Sequence, residues 1–403
     1  MMKYNKWTLG LAAVGVVSLA SVVKAEEKLS PILGAVSSTI ISGYVDTSAV
    51  WRPGNQTAAS WSTPGLIGQG AGNAVTQNKA DGFNLNVVKL AIEKPLDEKE
   101  WAAGYKGELL FGPDAVGWNP SANGNATTDY AIKQAYVALR APVGNGLDLK
   151  LGVFDTVVGY ESFDSCDNPH YSRSYGWNIE PTEHTGLLAS YKVADALTIK
   201  GGVANTAAAG VNARPVRLGN ANVQDTEKTY MAAIELTAPE SFGFLKGSKL
   251  YAGIVDGLAG GSTDTTWVYA GATLNTPLEA LTFGAAFDYR WDGKISGQYG
   301  SGKHAMAVGA YTSIKPTEKL KFNVRVEYAK GTESTWYVVP ATTSEKDNAL
   351  LGVTGTLDYS LWANAITRFE ARYDRDLTNL HPGPFGNGAA YNAYFALNVI
   401  YKF

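Results

Sequence analysis

Charged side chains of both signs fall in two parts of the chain where they could act on a solute. Residues 157–183 read as one long connection between strands, and they hold five carboxylates and one arginine: Glu161, Asp164, Asp167, Glu180, Glu183 and Arg173. Two later segments carry cations on one face: Lys321, Arg325, Arg368 and Arg372. If the acidic connection faced this basic wall across water, the field between them would orient dipolar solutes. If the connection packs outward, its acids are ordinary surface charge.

Motifs for bond-making chemistry are weak. Residues 297–304 nearly match the phosphate-binding pattern G-x-x-x-x-G-K-[ST], but His304 stands where a hydroxyl should hold Mg²⁺, and no helix is predicted to follow. The four histidines lack metal-ligand spacing, and the only cysteine, Cys166, reads as a tolerated loop residue rather than a reactive thiol. We therefore expect no enzyme, no metal and no cofactor.

The composition excludes several classes of protein. The chain has 403 residues, of which 45% are hydrophobic and 11% aromatic, so it can bury a core and is not intrinsically disordered. A single cysteine cannot form an internal disulfide. The formal net charge of −3 argues against nucleic acid as a partner, because a phosphate backbone requires a basic face.

The N-terminus has the pattern of an export signal. Residues 1–25 contain Lys3 and Lys6, then an apolar run, then a small residue before Glu26, which predicts a signal peptide that is removed. Its removal takes away three of the 34 basic residues and no acid, which leaves 31 against 37 acidic residues. No later apolar run approaches the roughly 20 residues of a membrane helix. Residues 26–38 would then form a short periplasmic segment.

The elements that must position the charged residues are β-strands with one apolar face and one polar face. In residues 320–329, for example, Leu, Phe, Val, Val and Tyr alternate with Lys, Asn, Arg, Glu and Ala. About sixteen such strands are expected, near residues 39–51, 82–93, 103–112, 130–141, 147–156, 184–193, 197–206, 228–238, 248–257, 265–276, 281–291, 303–314, 320–329, 348–359, 364–374 and 390–403. Short connections mostly alternate with long ones.

An even number of strands with short turns on one side and long loops on the other predicts an antiparallel transmembrane β-barrel over residues 39–403. A soluble β-sandwich also alternates, so alternation alone leaves both folds open. Aromatic residues at the inferred strand ends favour the barrel, since they would form interfacial girdles. They are Trp51, Trp267, Tyr269, Tyr289, Trp291, Tyr328, Tyr359 and Tyr373.

The last strand carries the most specific local signal. Its apolar face runs without a break to a terminal aromatic residue and includes Phe395, Leu397, Val399, Tyr401 and Phe403. This pattern looks like the C-terminal signature by which the barrel-assembly machinery recognises Gram-negative outer-membrane proteins. Together with the signal peptide, it predicts insertion into that membrane.

Several short segments carry a resemblance to a known family: residues 39–46 (TIISGYVD), 132–137 (IKQAYV), 168–176 (NPHYSRSYG), 180–181 (EP) and 184–186 (HTG), with the terminal Tyr401, Lys402 and Phe403. On these residues, and over essentially its whole mature length, the chain resembles the OmpL-like family of outer-membrane β-barrel porins. Cys166 departs from it, because an aromatic residue is expected there.

The resemblance implies a water-filled channel for passive diffusion of small hydrophilic solutes and ions. Similarity to the general porins further implies a homotrimer, surrounded by outer-membrane lipid, whose third long loop, residues 157–183, folds inward and narrows the lumen. Three alternatives stay open: a structural or adhesive barrel without an open pore, an outer-membrane hydrolase and a soluble secreted β-protein.

Overall fold

The computed structural model describes residues 38–53, 79, 81–98, 100–115, 118, 129–217, 220–224, 226–259, 263–293, 302–332, 335–336, 347–378, 385 and 389–403. The expected signal peptide, almost all of the expected periplasmic segment at 26–38 and most of residues 297–304 lie outside these ranges. In the part that is described, no helix is long and apolar enough to cross a membrane.

Strands dominate the described chain. Their bounds are β1 Ile40–Trp51, β2 Gly82–Lys94, β3 Ala102–Phe111, β4 Tyr130–Ala141, β5 Leu147–Asp155, β6 Glu183–Ala194, β7 Leu197–Ala204, β8 Val216–Arg217, β9 Asn220–Gln224, β10 Thr229–Thr237, β11 Lys249–Ala259, β12 Thr263–Asn275, β13 Leu281–Asp292, β14 His304–Ile314, β15 Leu320–Gly331, β16 Asn348–Tyr359, β17 Ala365–Asp376 and β18 Tyr391–Lys402. One short α-helix, α1, spans Tyr175–Ile179, and 3-10 turns occupy Pro113–Ala115, Ser165–Asp167 and Glu240–Leu245.

Sixteen of these strands form a closed antiparallel barrel. Each pairs with its neighbour in sequence, except that β7 pairs with β10, and β1 closes the barrel by pairing with β18. Strands β8 and β9 form a separate two-stranded hairpin. The prediction of a sixteen-stranded barrel is therefore confirmed. The hairpin escaped it because two- and five-residue strands are too short to show alternation.

Alternation along the strands gives the barrel an apolar outside and a polar inside. On β15, Phe322, Val324, Val326 and Tyr328 are exposed, whereas Arg325 and Glu327 between them are buried. A soluble protein buries its apolar face, so this reversed arrangement is the one that suits a lipid surround. The polar faces of the strands meet in the interior.

The aromatic girdles are confirmed only in part. Trp51, Trp291 and Tyr359 are exposed on the outer face, but Trp267 and Tyr269 are 6% and 4% exposed and point inward. On β12 the outward positions belong to Val268 and the residues in phase with it. Position near a strand end was therefore a weaker guide than the two-residue period, which puts Trp267 and Tyr269 on the interior face.

Most connections follow the expected order, with short turns at one end of the barrel. The turns at 142–146, 195–196, 276–280, 315–319 and 360–364 join strands at that end. Two connections depart from the pattern: β10 and β11 are joined by eleven residues, 238–248, which include a 3-10 turn, and β11 and β12 by only three, 260–262.

Gly43, beside the seam between β1 and β18, gives a test of barrel closure. Its N–H donates to the Phe403 carbonyl at 2.9 Å, and the Phe403 N–H donates back at 3.0 Å. A methyl group at Gly43 would lie 2.2 Å from the Lys89 carbonyl oxygen and 2.6 Å from the Phe403 ring. We expect Gly43→Ala to lower the free energy of unfolding by about 1–3 kcal/mol, measured by urea titration in lipid vesicles.

The matched control for Gly43→Ala is Gly355→Ala. A methyl group at Gly355 on β16 meets nothing within 4 Å. This variant should stay within about 0.5 kcal/mol of the wild type. Equal stability of the two variants would contradict the close approach at the seam.

Candidate functional site

The connection between β5 and β6, residues 156–182, lies inside the barrel, and we call it the inner loop. It reaches strands on opposite sides of the wall. Tyr44 on β1 donates to the Asp164 carboxylate at 3.0 Å, and the Trp267 indole on β12 donates to the Ile179 carbonyl at 2.6 Å. Since a segment on the outer surface could not contact both, the inner loop crosses the lumen.

The inner loop contains little regular secondary structure. Residues 165–167 form one 3-10 turn, and α1 is a single five-residue helix. The Ser174 hydroxyl caps α1 by accepting from the Trp177 N–H at 3.2 Å. Most of the loop's backbone N–H and C=O groups therefore have no regular partners, and the wall must supply them.

Arg325 on β15 is the main wall donor to the inner loop. Its guanidinium donates to the Glu161 carboxylate at 2.8 Å and to the backbone carbonyls of Ser172 and Arg173 at 3.0 and 3.1 Å. Its Nε donates to Glu327 on the same strand at 2.7 Å. A guanidinium has five donors in a planar fork, so one side chain can satisfy carbonyls and carboxylates together.

Two arginines on β17 act in the same way. Arg368 donates to the Ser165 and Asn168 carbonyls at 2.6 and 2.7 Å. Arg372 donates to the Arg173 carbonyl at 2.7 Å. All three arginines are buried: Arg325 is 0% exposed, Arg368 3% and Arg372 2%. These cations hold the loop and do not form a wall open to water.

Wall carboxylates complete the set by accepting from the loop backbone. Glu370 on β17 accepts from the Tyr171 and Ser172 N–H groups at 2.7 and 3.1 Å. Glu327 accepts from the Tyr175 N–H at 2.6 Å, and Asp374 accepts from the Tyr175 hydroxyl at 2.7 Å. The site predicted from the sequence does not include these acids. The two-residue period could have identified two of them, since Glu327 and Asp374 follow Arg325 and Arg372 by two residues and therefore lie on the same strand face.

The structure brings only one predicted acid against the predicted cations. Glu161 meets Arg325, and its other oxygen accepts from the Ser174 N–H at 2.6 Å. Asp164 pairs instead with Lys89 on β2 at 2.6 Å. Glu183, at the start of β6, accepts from the Gly210 N–H at 2.8 Å.

The remaining predicted residues have separate surroundings. Arg173 turns back to the loop itself and donates to the Ser162 and Phe163 carbonyls at 2.9 and 2.6 Å. Asp167 is exposed, and with Lys321 it lines a cavity of about 860 Å³ between the loop and the turns at 276–280 and 315–319. Glu180 lies beside Asp288 on β13, so it faces a like charge.

The Glu180 and Asp288 carboxyl groups form a hydrogen-bonded pair where α1 meets β13. Burial, and then the negative charge of Asp288, hold the pKa of Glu180 well above its ordinary value. A methyl group on Gly176 would lie 2.1 Å from an Asp288 carboxylate oxygen, so the helix backbone approaches closely. Two carboxyl groups this near each other share a proton rather than both ionising.

His170, in the same loop, is buried and neutral. Burial, and then the positive charges of Arg325, Arg368 and Arg372, keep its pKa well below the usual value. Its Nδ1 lies 2.7 Å from the Thr356 hydroxyl. Among the described residues, no three His, Cys, Asp or Glu side chains are grouped to hold a metal ion.

Comparison with protein families gives a match over residues 38–403 to the family described as "Putative beta-barrel porin-2, OmpL-like". The chain belongs to this family. The resemblance stated from the sequence is thereby confirmed, and the porin family together with the sixteen-stranded barrel establishes an outer-membrane β-barrel. No curated protein matches the chain.

Solved porin structures share the fold at low identity. The anion-selective porin from Comamonas acidovorans is 12% identical with a TM-score of 0.60, and 91% of this chain aligns with 99% of that one. Salmonella typhi OmpF, solved with daunomycin, is 12% identical with a TM-score of 0.58 over 91% and 97% of the two chains. The outer membrane channel DcaP of Acinetobacter baumannii is 11% identical with a TM-score of 0.57 over the same shares.

The shared proton gives this porin family member a testable pH response. Because the pKa of Glu180 is raised in the folded state, its stabilising contribution is complete below the ordinary carboxyl pKa and is lost as pH rises through the folded value. We expect the wild-type barrel to lose thermal stability as the pH rises above the ordinary carboxyl pKa of about 4, measured by heat-dependent gel mobility at one acidic and one alkaline pH. Glu180→Gln, which cannot ionise, should lose less.

The control for this response is Glu279→Gln, on the exposed turn between β12 and β13. It removes one carboxylate without touching α1, so it should follow the wild type at both pH values. If Glu180→Gln also followed the wild type, the carboxyl pair would not be the titrating group.

Proposed function

We propose that this porin passes small hydrophilic solutes and ions by passive diffusion and that the inner loop narrows its lumen. The observation that carries the proposal is the set of wall arginines bonded to the loop backbone, Arg325, Arg368 and Arg372. These bonds hold an irregular segment within the barrel, where it reduces the cross-section that a solute can use. The narrow region comprises Glu161, Asp164, Asp167, Arg173, Glu180 and Glu183 with the wall around them.

The proposed narrowing differs in electrostatics from an acidic loop that faces a basic wall across water. Arg325 is neutralised by direct contact with Glu161 and Glu327. Arg372 is neutralised by Asp374, and Arg368 by Asp358. Buried ion pairs of this kind set the position of the loop and contribute little field to the lumen. Their role in the proposal is to fix the width of the channel.

Export and assembly complete the proposal. Residues 1–25 direct secretion, and residues 26–38 stay on the periplasmic side. The outward face of β18 includes Leu397, Tyr401 and Phe403, which are exposed, and Phe395 and Val399, which share that face by the two-residue period. We propose that the barrel-assembly machinery reads this face and that lipid then surrounds it.

A homotrimer is the proposed assembly. A solved structure of OmpT from Vibrio cholerae, 11% identical with a TM-score of 0.54, is described as a trimer form. Catalysis is not part of the proposal, since the matching family and the solved structures of similar fold are described as porins and channels.

A structural barrel without an open pore is the second candidate. It is favoured by the extent of the loop's contacts, which reach β1, β2 and β12 through β18. Electrical measurement separates the two candidates, because only the first conducts.

Single-channel recording of the refolded mature protein in a planar bilayer tests the proposal. We expect discrete open steps from the wild type. The double variant Arg325→Ala and Arg372→Ala leaves buried Glu161 and Glu327 without their cations, a loss of about 3–5 kcal/mol for a buried pair. The inner loop should then detach from the barrel wall, and the single-channel conductance steps should become larger or fluctuate.

The control for the arginine variant is Lys330→Gln, near the outer end of β15, where the side chain is exposed on the outer face. It should conduct like the wild type. A folded wild-type barrel that never conducts would overturn the channel and favour the structural barrel. Unchanged steps in the double variant would remove the inner loop as the narrow point.

A further inference from the structure

The wall from β3 to β7 carries three inward-facing lysines that, in the described part of the chain, form no ion pair with the inner loop: Lys106 on β3, Lys150 on β5 and Lys200 on β7. Each is flanked along its strand by outward-facing apolar residues, as Lys150 is by Leu151 and Lys200 by Ile199, both exposed. All three lie three or four residues beyond the first residue of their strands, near the end of the barrel where the short turns are. We call them the lysine row.

Strand register places the lysine row side by side across five neighbouring strands. Lys106 is opposite Tyr136 on β4, and the Lys150 ammonium lies 4.7 Å from the centroid of the Tyr136 ring. On β6, Leu188 is opposite Lys150 and Ser190 is opposite Lys200. Lys150 therefore lies between two other cations, and the charges of both act on it.

Lys150 and Lys200 are the uncompensated charges of the row. Lys106 pairs with Glu108 at 3.0 Å, whereas neither Lys150 nor Lys200 has a carboxylate partner among the residues that the structure describes. The two acids near Lys150 are already engaged: Glu93 with Lys106 at 3.5 Å, and Asp155 with Lys133.

The other charges of the same wall are paired. Arg140 holds Asp148 at 2.6 Å, and on the adjoining strands β10 and β11 Lys249 holds Glu235 at 2.7 Å. The arginines across the lumen are also neutralised, as described above. Among the described residues of this part of the lumen wall, the charges without an ion-pair partner are therefore the positive charges of Lys150 and Lys200.

We infer that the lysine row is a binding strip for small anionic solutes, carboxylates or phosphates, and that it makes the channel prefer anions. The inference rests on the proposed diffusion function. Lys150 and Lys200 are two strands apart, roughly 10 Å, which is about one Debye length at 0.1 M salt, so their potentials merge. An ammonium is a strongly hydrated point charge, so it attracts an anion without holding it long enough to block transit.

The test is the reversal potential of the refolded trimer or monomer in a planar bilayer under a KCl gradient. The wild type should favour chloride over potassium. The double variant Lys150→Gln and Lys200→Gln should lower the chloride-to-potassium permeability ratio by at least about twofold at low salt, with a smaller change at high salt because the charges are screened.

The matched control is the double variant Lys246→Gln and Lys330→Gln, which changes the net charge equally but alters lysines on a turn and on the outer face. Its permeability ratio should equal that of the wild type. Inorganic phosphate serves as the binding probe: added to the bath, it should reduce the chloride current of the wild type and of the control more than that of the lysine-row variant. Heat-dependent gel mobility confirms that each variant is folded.

The outcomes separate the inference from the function on which it rests. A conducting wild type that prefers potassium would overturn the inference that the lysine row attracts anions, and so would a lysine-row variant that keeps the wild-type permeability ratio. Neither result would contradict the proposed diffusion channel. A folded wild type that is silent overturns both.

Discussion

An irregular backbone inside a barrel needs hydrogen-bond partners, and that requirement organises the interior of this protein. The inner loop cannot join the sheet, because the strands have already paired with each other all the way round. Its carbonyls are instead satisfied by Arg325, Arg368 and Arg372, and its N–H groups by Glu370 and Glu327. Cations and anions alternate along the same strand faces, so the wall matches a backbone that presents both donors and acceptors.

This arrangement divides the lumen into two unlike sides. From β12 round to β2, Arg325, Arg368 and Arg372 hold the loop and are buried in contacts with it. Lys321 on β15 instead lines the cavity beside the loop. From β3 to β7, the lysine row forms no ion pair with the loop among the described residues, and Lys150 and Lys200 have no carboxylate partner there. The physical distinction is between charges that position a segment, which lose their field through pairing, and charges that remain available to a solute.

The carboxyl pair of Glu180 and Asp288 is the exception on the loop side. There the loop is held through a shared proton and not through opposite charges. The contact at α1 thus depends on pH in a sense opposite to that of the arginine contacts, whose partner acids must stay ionised. One end of the loop is consequently more sensitive to alkaline conditions than the other.

The sequence by itself determined the sixteen strands, their approximate limits, their apolar and polar faces and the family. It could do so because a strand that crosses a membrane must obey the two-residue period along its whole length. Only the tertiary structure decided which acid meets which arginine, that Trp267 points inward and that Lys150 and Lys200 have no carboxylate partner in the described part of the chain. These depend on the path of a loop without regular structure and on register between distant strands, and neither leaves a periodic trace in the sequence.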